Sequence, residues 1–278
     1  MSKLSKPAKF DLAQFEADGF AVIKGAVDPH LIGRIREEWE MFNTTTRDTR
    51  PDVIPKDQPA AVFWRHVPGE KKRIRPISEF PTLHQLAVDG TMADIVRQIF
   101  AFRGQPQVEL RLLETIIFNK PPVQGTKLEW HQDNAYFPFE PNSQCALWIP
   151  LDPVDPQNGS LSYACGSHKL GRVASRNLHT GETFKGDTRP TIPEDPATAG
   201  YKVVTVELEP GDLTVHDGGC WHCSMPNRTD RPRRSLSLRY LVGETIYAPT
   251  PGSAATFVEQ VDVRPGDRIE GPAFPVVA

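Results

Sequence analysis

The chain has 278 residues, of which 38% are hydrophobic and 24% charged, with a formal net charge of −3. That length builds a real core in one large domain or two small ones, and the charge excludes a global basic field for nucleic acid or an anionic membrane. No run of about 18 apolar residues is present to cross a bilayer, and MSKLSKPAKF at the start lacks an apolar secretory stretch.

The expected compartment is therefore the cytosol, with the four cysteines reduced. Twenty-seven prolines and 20 glycines favour short elements joined by turns. Residues 1–9 read as a loose tail, and residues 20–23 as a short strand after the turn residue Gly19. Asp28 and Pro29 open a helix as N-cap and first helical residue. Leu31, Ile32, Ile35, Trp39 and Phe42 then form one apolar stripe at helical spacing. Residues 43–80 are polar and broken by proline, and contain the basic run Lys71-Lys72-Arg73-Ile74-Arg75. They read as a long surface segment of the kind used for lids and binding loops, the run itself as a solvated stretch that could also meet an acidic substrate. A second helix is expected over 91–102, with Met92, Ile95, Val96, Ile99 and Phe100 inward.

From about residue 107 the pattern becomes β-rich, in short runs at 108–119, 127–136, 144–151, 160–164, 202–208, 213–216, 220–224 and 235–242. Eight strands with regular turns indicate a mainly β (α+β) fold: a double-stranded β-helix, or jelly roll, with supporting N-terminal helices. We expect one domain over 1–278, with 43–80 and the Gly/Pro/Thr-rich insertion at 171–200 as active-site loops.

The stretch WHQDNAYFPF places His131 and Asp133 two residues apart, which on a strand is one face. Imidazole and carboxylate suit iron-like divalent metals, and a further histidine would complete a 2-His-1-carboxylate triad with open positions. Downstream candidates are His168, His179, His216 and His222. Arg233 follows His222 by eleven residues, and an arginine fork can hold a carboxylate in two parallel bonds. Ser224 shares the face of His222 by strand alternation.

WHQDNAYFPF, ALWIPLDPVDPQNGSLSYACGSHKLG and EPGDLTVHDGGCWHCSMPNRTDRPRRS occur in this order. Together they resemble the phytanoyl-CoA dioxygenase-like family of Fe(II)/2-oxoglutarate oxygenases, over roughly residues 10–245. The resemblance implies that His131, Asp133 and His222 bind iron, and that Arg233 and Ser224 hold the far carboxylate of 2-oxoglutarate with Trp148 beside it. With O₂, such an enzyme hydroxylates an aliphatic C–H of a small molecule and releases succinate and CO₂. Natural-product intermediates, amino-acid-like compounds and acyl-CoA thioesters all fall within that class. Asp133 favours hydroxylation over the halogenation of family members with a small residue there. Two rivals stand beside this reading: an O₂-independent barrel lyase or isomerase, and a non-catalytic module binding 2-oxoglutarate or another ligand. The arginine at +11 counts against the first, and the intact triad against the second.

Other residues carry weaker signals. Arg111 either anchors an acidic substrate or is ion-paired, and Tyr136 either lines the pocket or packs in the core. His216 is a rival ligand, and His168 reads as a turn residue. Cys220 and Cys223 are an odd number of residues apart, so on a strand their thiols face opposite ways; Cys145 and Cys165 read as core residues. The expected partner is a small molecule, with no nucleic acid or membrane, in a monomer or homodimer.

Overall fold

The computed structural model describes residues 9–45, 61–65, 75–76, 80–88, 90–123, 127–141, 143–250 and 263–277. Asp11 caps α1 (Leu12–Asp18) by accepting from the Gln14 N–H, and Gly19 ends it at φ 85°. This helix buries only Phe15, too little for an apolar stripe to reveal it in the sequence. It leads into β1 (Phe20–Ile23). The next helix, α2 (Pro29–Thr45), begins where Asp28 and Pro29 predict, with Asp28 Oδ1 accepting from His30 N–H at 2.9 Å. Ile32, Ile35 and Trp39 of its stripe are buried, while the Phe42 side chain lies outside the described residues.

Within 43–80 the structure places β2 (Ala61–Arg65) and β3 (Arg75–Pro76). That segment is thus not loop throughout; Lys71–Ile74 and the Arg75 side chain lie outside the described residues, as do residues 1–8 of the expected tail. Two helices follow: α3 (Pro81–Val88), not foreseen, and α4 (Thr91–Phe102), whose five expected residues are all buried.

The β region comprises β4 (Leu110–Lys120), β5 (Leu128–His131), β6 (Phe139–Glu140), β7 (Gln144–Pro150), β8 (Leu161–Ala164), β9 (Val203–Thr205), β10 (Leu213–Asp217), β11 (His222–Ser224), β12 (Arg233–Val242) and β13 (Ile246–Tyr247). A seven-stranded sheet runs β1-β10-β7-β12-β4-β2-β3, and a four-stranded sheet runs β5-β11-β8-β9. These are the two walls of a double-stranded β-helix. Three expected strands are shorter than read by two residues or more: 127–136 ends at His131, 202–208 keeps only Val203–Thr205 with a lone bridge from Leu208 to Val154, and 220–224 keeps only His222–Ser224.

The large sheet is apolar on its helix side. Leu236, Leu238 and Tyr240 of β12 join Leu147 and Ile149 of β7 against Ile35, Trp39, Ile95 and Ile99. Its other face looks toward the small sheet. Every residue of β12 is buried, because β4 and β7 flank it on both edges. None of the described helices is long and apolar enough to cross a membrane.

Two buried charges test this packing. Arg234 lies 7% exposed and donates from its N–H, Nε and Nη2 to Asp152 at 2.9, 2.8 and 2.7 Å, with Glu40 as a more exposed second partner. Asp152→Ala strands that guanidinium, and is expected to lower the unfolding free energy by about 3 kcal/mol in urea melts. A loss under about 1 kcal/mol would show that Glu40 alone compensates. Lys120, 3% exposed, donates to the Ser224 and Met225 carbonyls at 3.1 and 2.6 Å and so ties the end of β4 to the end of β11. Burial, and then the neighbouring Arg233, push its pKa from 10.5 to about 6. The unfolded chain thus holds a proton that the folded chain releases between about pH 6 and 10.5, so this group's penalty on folding shrinks as pH rises through that window. The stability of wild type relative to Lys120→Met should climb by up to about 1.4 kcal/mol per pH unit between about pH 6.5 and 8.5. Parallel profiles would place a charged lysine at this position.

Candidate metal centre and adjoining cavity

Backbone pairing brings the first two histidines together. In the register of β11 against β5, His222 stands opposite His131, and their ring centroids are 4.1 Å apart. Asp133 joins them from a short 3₁₀ turn, Asp133–Ala135, that follows β5. Strand alternation therefore does not aim this carboxylate; the turn does. Asn134 N–H donates to the Gly218 carbonyl at 2.8 Å, and a Cβ at Gly218 would overlap the Asn134 side chain, so a glycine is needed where the two segments touch. One ligand atom from each of His131, Asp133 and His222 lies within 4.8 Å of the others, and all three residues are buried.

Both imidazoles are oriented by backbone. His131 Nδ1 lies 2.7 Å from the Glu129 carbonyl and His222 Nδ1 lies 3.0 Å from the Cys220 carbonyl. A ring nitrogen facing a carbonyl carries the proton, which leaves each Nε2 lone pair free to bind a metal. Burial pushes the His131 pKa down, and burial, His131 and His216 push that of His222 well down, so both rings are neutral. Asp133 goes the other way. Burial would raise its pKa, but Arg239, then His216 and His222, override this and hold the carboxyl well below the usual carboxylate range. Two neutral imidazoles and one carboxylate on one side of a cavity fit a six-coordinate iron with open positions.

Asp133 is held by a partner that sequence reasoning missed. Arg239 donates from Nε to Oδ2 at 3.0 Å and from Nη2 to Oδ1 at 2.9 Å, and from Nη1 to Glu114 Oε1 at 2.8 Å. His216, the rival ligand, stands beside the triad with Nε2 3.4 Å from Asp133 Oδ2 and, among the described residues, no well-formed hydrogen bond from that nitrogen.

The centre opens into a cavity of about 170 Å³. Ile116, Phe118, Leu128, Tyr136, Phe137, Leu161 and Leu178 make it largely apolar; Trp148, Ser224 and Arg233 lie at one end. Arg233 is 2% exposed; its Nη2 donates to Ser224 Oγ at 2.7 Å and to the Gly159 carbonyl, its Nε to that carbonyl at 3.1 Å, and its Nη1 to Ser235 Oγ at 3.0 Å. Trp148 lies 5.5 Å from the guanidinium. Burial pushes the Arg233 pKa down to about 9, with distant Asp152 opposing, so the group stays charged at neutral pH. Among the described residues no carboxylate forms an ion pair with it. The Asn158-Gly159 motif builds this seat. Gly159 sits at φ 84°, and a Cβ there would collide with the Met225 carbonyl oxygen.

The insertion at 171–200 is strapped to the metal segment. Gln132, fully buried, bonds the Gly171 carbonyl and the Val173 N–H. The Ala135 carbonyl accepts from Ser175 Oγ, Tyr136 OH donates to the Arg176 carbonyl at 2.7 Å, and Glu129 N–H reaches the Leu178 carbonyl. Tyr136 thus lines the cavity with its ring while its hydroxyl is engaged elsewhere.

Arg111 is not at the cavity. Its Nε pairs with Glu109 at 2.8 Å and its Nη1 donates to the Phe274 carbonyl at 3.0 Å, where residues 274–277 run beside β4. The ion-paired alternative describes it, and the substrate-anchor expectation is corrected. His168 lies in the turn Ser167–Leu170; Cys220 precedes β11 while Cys223 lies on it, and the two sit in different apolar clusters without strand alternation between them.

The family model for phytanoyl-CoA dioxygenase (PhyH) matches residues 15–235. Mouse peroxisomal phytanoyl-CoA dioxygenase is 30% identical over 270 residues, covering 86% of this chain and 75% of the relative. A probable alpha-ketoglutarate-dependent hypophosphite dioxygenase of Stutzerimonas stutzeri is 30% identical over 178 residues, 63% of this chain and 60% of the relative. In fold, the chain superposes on the epimerase SnoN, solved with Fe³⁺, alpha-ketoglutarate and nogalamycin RO, with a TM-score of 0.73 at 20% identity over 96% of this chain and 97% of that one. The chain belongs to the phytanoyl-CoA dioxygenase family of Fe/2-oxoglutarate-dependent oxygenases.

Proposed function

We propose that His131, Asp133 and His222 bind Fe(II), that Arg233 and Ser224 hold the far carboxylate of 2-oxoglutarate beside Trp148, and that the enzyme hydroxylates an aliphatic C–H of a small molecule. The observation that carries this is the pairing of two features in one cavity. A buried nitrogen/oxygen triad stands at one place, and at another stands a buried, charged arginine that, among the described residues, has hydroxyl, carbonyl and ring partners but no carboxylate. Desolvating a guanidinium without a counter-charge is costly, and a dianionic co-substrate supplies that charge. An O₂-independent lyase or isomerase would gain nothing from such a seat.

When bound, iron with 2-oxoglutarate and O₂ supplies the oxidising chemistry, releasing succinate and CO₂. The chain's own residues orient and enclose. The backbone carbonyls of Glu129 and Cys220 fix the imidazole tautomers. Ile116, Phe118, Phe137 and Leu178 form a dry wall that suits a hydrocarbon portion of the substrate. Within small molecules, the apolar wall fits natural-product intermediates, amino-acid-like compounds and acyl-CoA thioesters alike, provided that the reacting carbon is aliphatic.

Anaerobic addition of Fe(II) and then 2-oxoglutarate is expected to produce the visible charge-transfer absorption of a chelated keto acid. His131→Ala and Asp133→Ala should each abolish both the band and succinate release; full turnover in either variant would move the metal elsewhere. Arg233→Ala should raise the 2-oxoglutarate concentration for half-saturation by about 100-fold, the loss of one buried charge-assisted pair. An unchanged requirement would place the carboxylate seat elsewhere. With a substrate in hand, one oxygen atom from ¹⁸O₂ in the product identifies hydroxylation, and its absence identifies an oxidation without oxygen insertion.

A further inference from the structure

Asp133 is the one member of the triad that no regular element aims. His131 and His222 are fixed by paired strands and by carbonyls behind their rings, whereas Asp133 stands on a three-residue turn with a rotatable side chain. What restrains it is Arg239. The fork takes both carboxylate oxygens at 3.0 and 2.9 Å, a geometry that a point-charge ammonium cannot reproduce. Arg239 is itself fixed from three sides. It stands opposite Glu114 in the β12–β4 register and donates to that carboxylate at 2.8 Å. The Phe137 ring lies 5.7 Å from its guanidinium carbon. A register shift just after it, where Tyr240 pairs with Leu112, leaves Leu113 of β4 unmatched and marks a bulge of the kind that re-aims side chains.

The two oxygens of Asp133 are not equivalent. Oδ2 faces Arg239 Nε and His216 Nε2, at 3.0 and 3.4 Å. Oδ1 takes Arg239 Nη2 at 2.9 Å and faces His222 Nε2 at 4.0 Å. Glu114 adds a second constraint. It is a 2% exposed carboxylate on the same cavity wall, a rival oxygen donor unless something occupies it.

We propose that Arg239 is the positioning residue of the metal site: it fixes the Asp133 carboxylate with Oδ1 toward His222, keeps Glu114 turned away, and forms a preformed seat for one carboxylate. The inference rests on the metal reading given above and assigns a role to a residue which that reading does not use. It predicts that the seat outlasts the side chain it serves. In Asp133→Ala the space between Arg239 and the histidines can take a free carboxylate.

The test uses Mn(II), a divalent probe that binds without turning over, followed by electron paramagnetic resonance on the full chain. Arg239→Met and Arg239→Lys should each weaken Mn(II) binding by about 10- to 100-fold, the size seen when the residue orienting a ligand is lost. Asp133→Ala should bind Mn(II) poorly, and formate at tens of millimolar (about that level) should restore binding toward wild type, as a guest in the arginine fork. The double variant Asp133→Ala, Arg239→Met should not respond to formate, which a merely structural role for Arg239 does not predict. Wild-type affinity in Arg239→Met overturns the proposal. Should that variant fail to fold by circular dichroism, the formate arm decides alone: no rescue of Asp133→Ala with Arg239 in place also overturns it. If wild type itself binds no Mn(II) and shows no Fe(II)–keto-acid band, the metal reading fails and takes this inference with it, an outcome distinct from failure of the Arg239 variants alone.

Discussion

The site depends on the register of one buried strand. Residues 233–242 pair with β4, residues 235–241 pair also with β7, and none is exposed. A side-chain period of two means that a slip of one residue would exchange the faces. Leu236, Leu238 and Tyr240 would then enter the cavity, and Arg233, Ser237 and Arg239 would enter the helix-packed core. The apolar face thus locks the polar one. The same strand carries the arginine at the proposed co-substrate end and the arginine on the metal-side carboxylate, so their relation to each other is set by backbone and not by side-chain choice.

Such a wall carries a concentration of buried charge that folding alone does not favour. Arg233, Arg239, Glu114 and Asp133 all lie under 8% exposed. Asp133, Arg239 and Glu114 form an alternating chain in which each charge meets its opposite, which limits the desolvation cost. Arg233 meets, among the described residues, only hydroxyls, a carbonyl and the Trp148 ring, and the nearby Lys120 is pushed toward its neutral form, so this end of the cavity holds a cation without that compensation. A region left electrostatically incomplete in the protein by itself is one where an anionic ligand contributes most, and that asymmetry between the two ends gives the cavity a direction.

The sequence is legible where a periodicity or a turn residue governs the outcome. The helix from Pro29, the helix over 91–102 and the long strands emerge because stripes and alternation persist over many residues. His131, Asp133, His222 and Arg233 stand out because their spacing within quoted blocks resembles a family, not because composition marks them. Arg239 does not stand out: in Arg-Arg-Ser-Leu-Ser-Leu-Arg it is one of three arginines in an alternating strand, and only cross-strand register reveals that it meets Asp133. Glu114 follows by alternation from cavity-facing Ile116 and Phe118, and the unmatched Leu113 breaks that alternation before Arg111. The helices α1 and α3 are short, and their helical signal is weaker than their tertiary contacts.

The turn at 133–135 explains why an insertion belongs beside it. With the strand ending at His131, the N–H groups of residues 134–136 bond to the Gly218, Gln132 and Asp133 carbonyls, and the Ala135 carbonyl is left for the insertion. The Ala135 carbonyl and the Tyr136 hydroxyl bond to residues of the 171–178 stretch, and buried Gln132 bonds it from both its amide nitrogen and its oxygen. The turn that presents Asp133 therefore also docks the segment bearing Leu178, which closes one side of the cavity. Ligand geometry and cavity shape share these hydrogen bonds, so a change in the insertion that alters which molecule fits must either keep its bonds to Gln132, Ala135 and Tyr136 or disturb the carboxylate ligand as well. Specificity is then freest to vary at side chains such as Leu178, whose backbone is anchored while its contact with the cavity is purely one of shape.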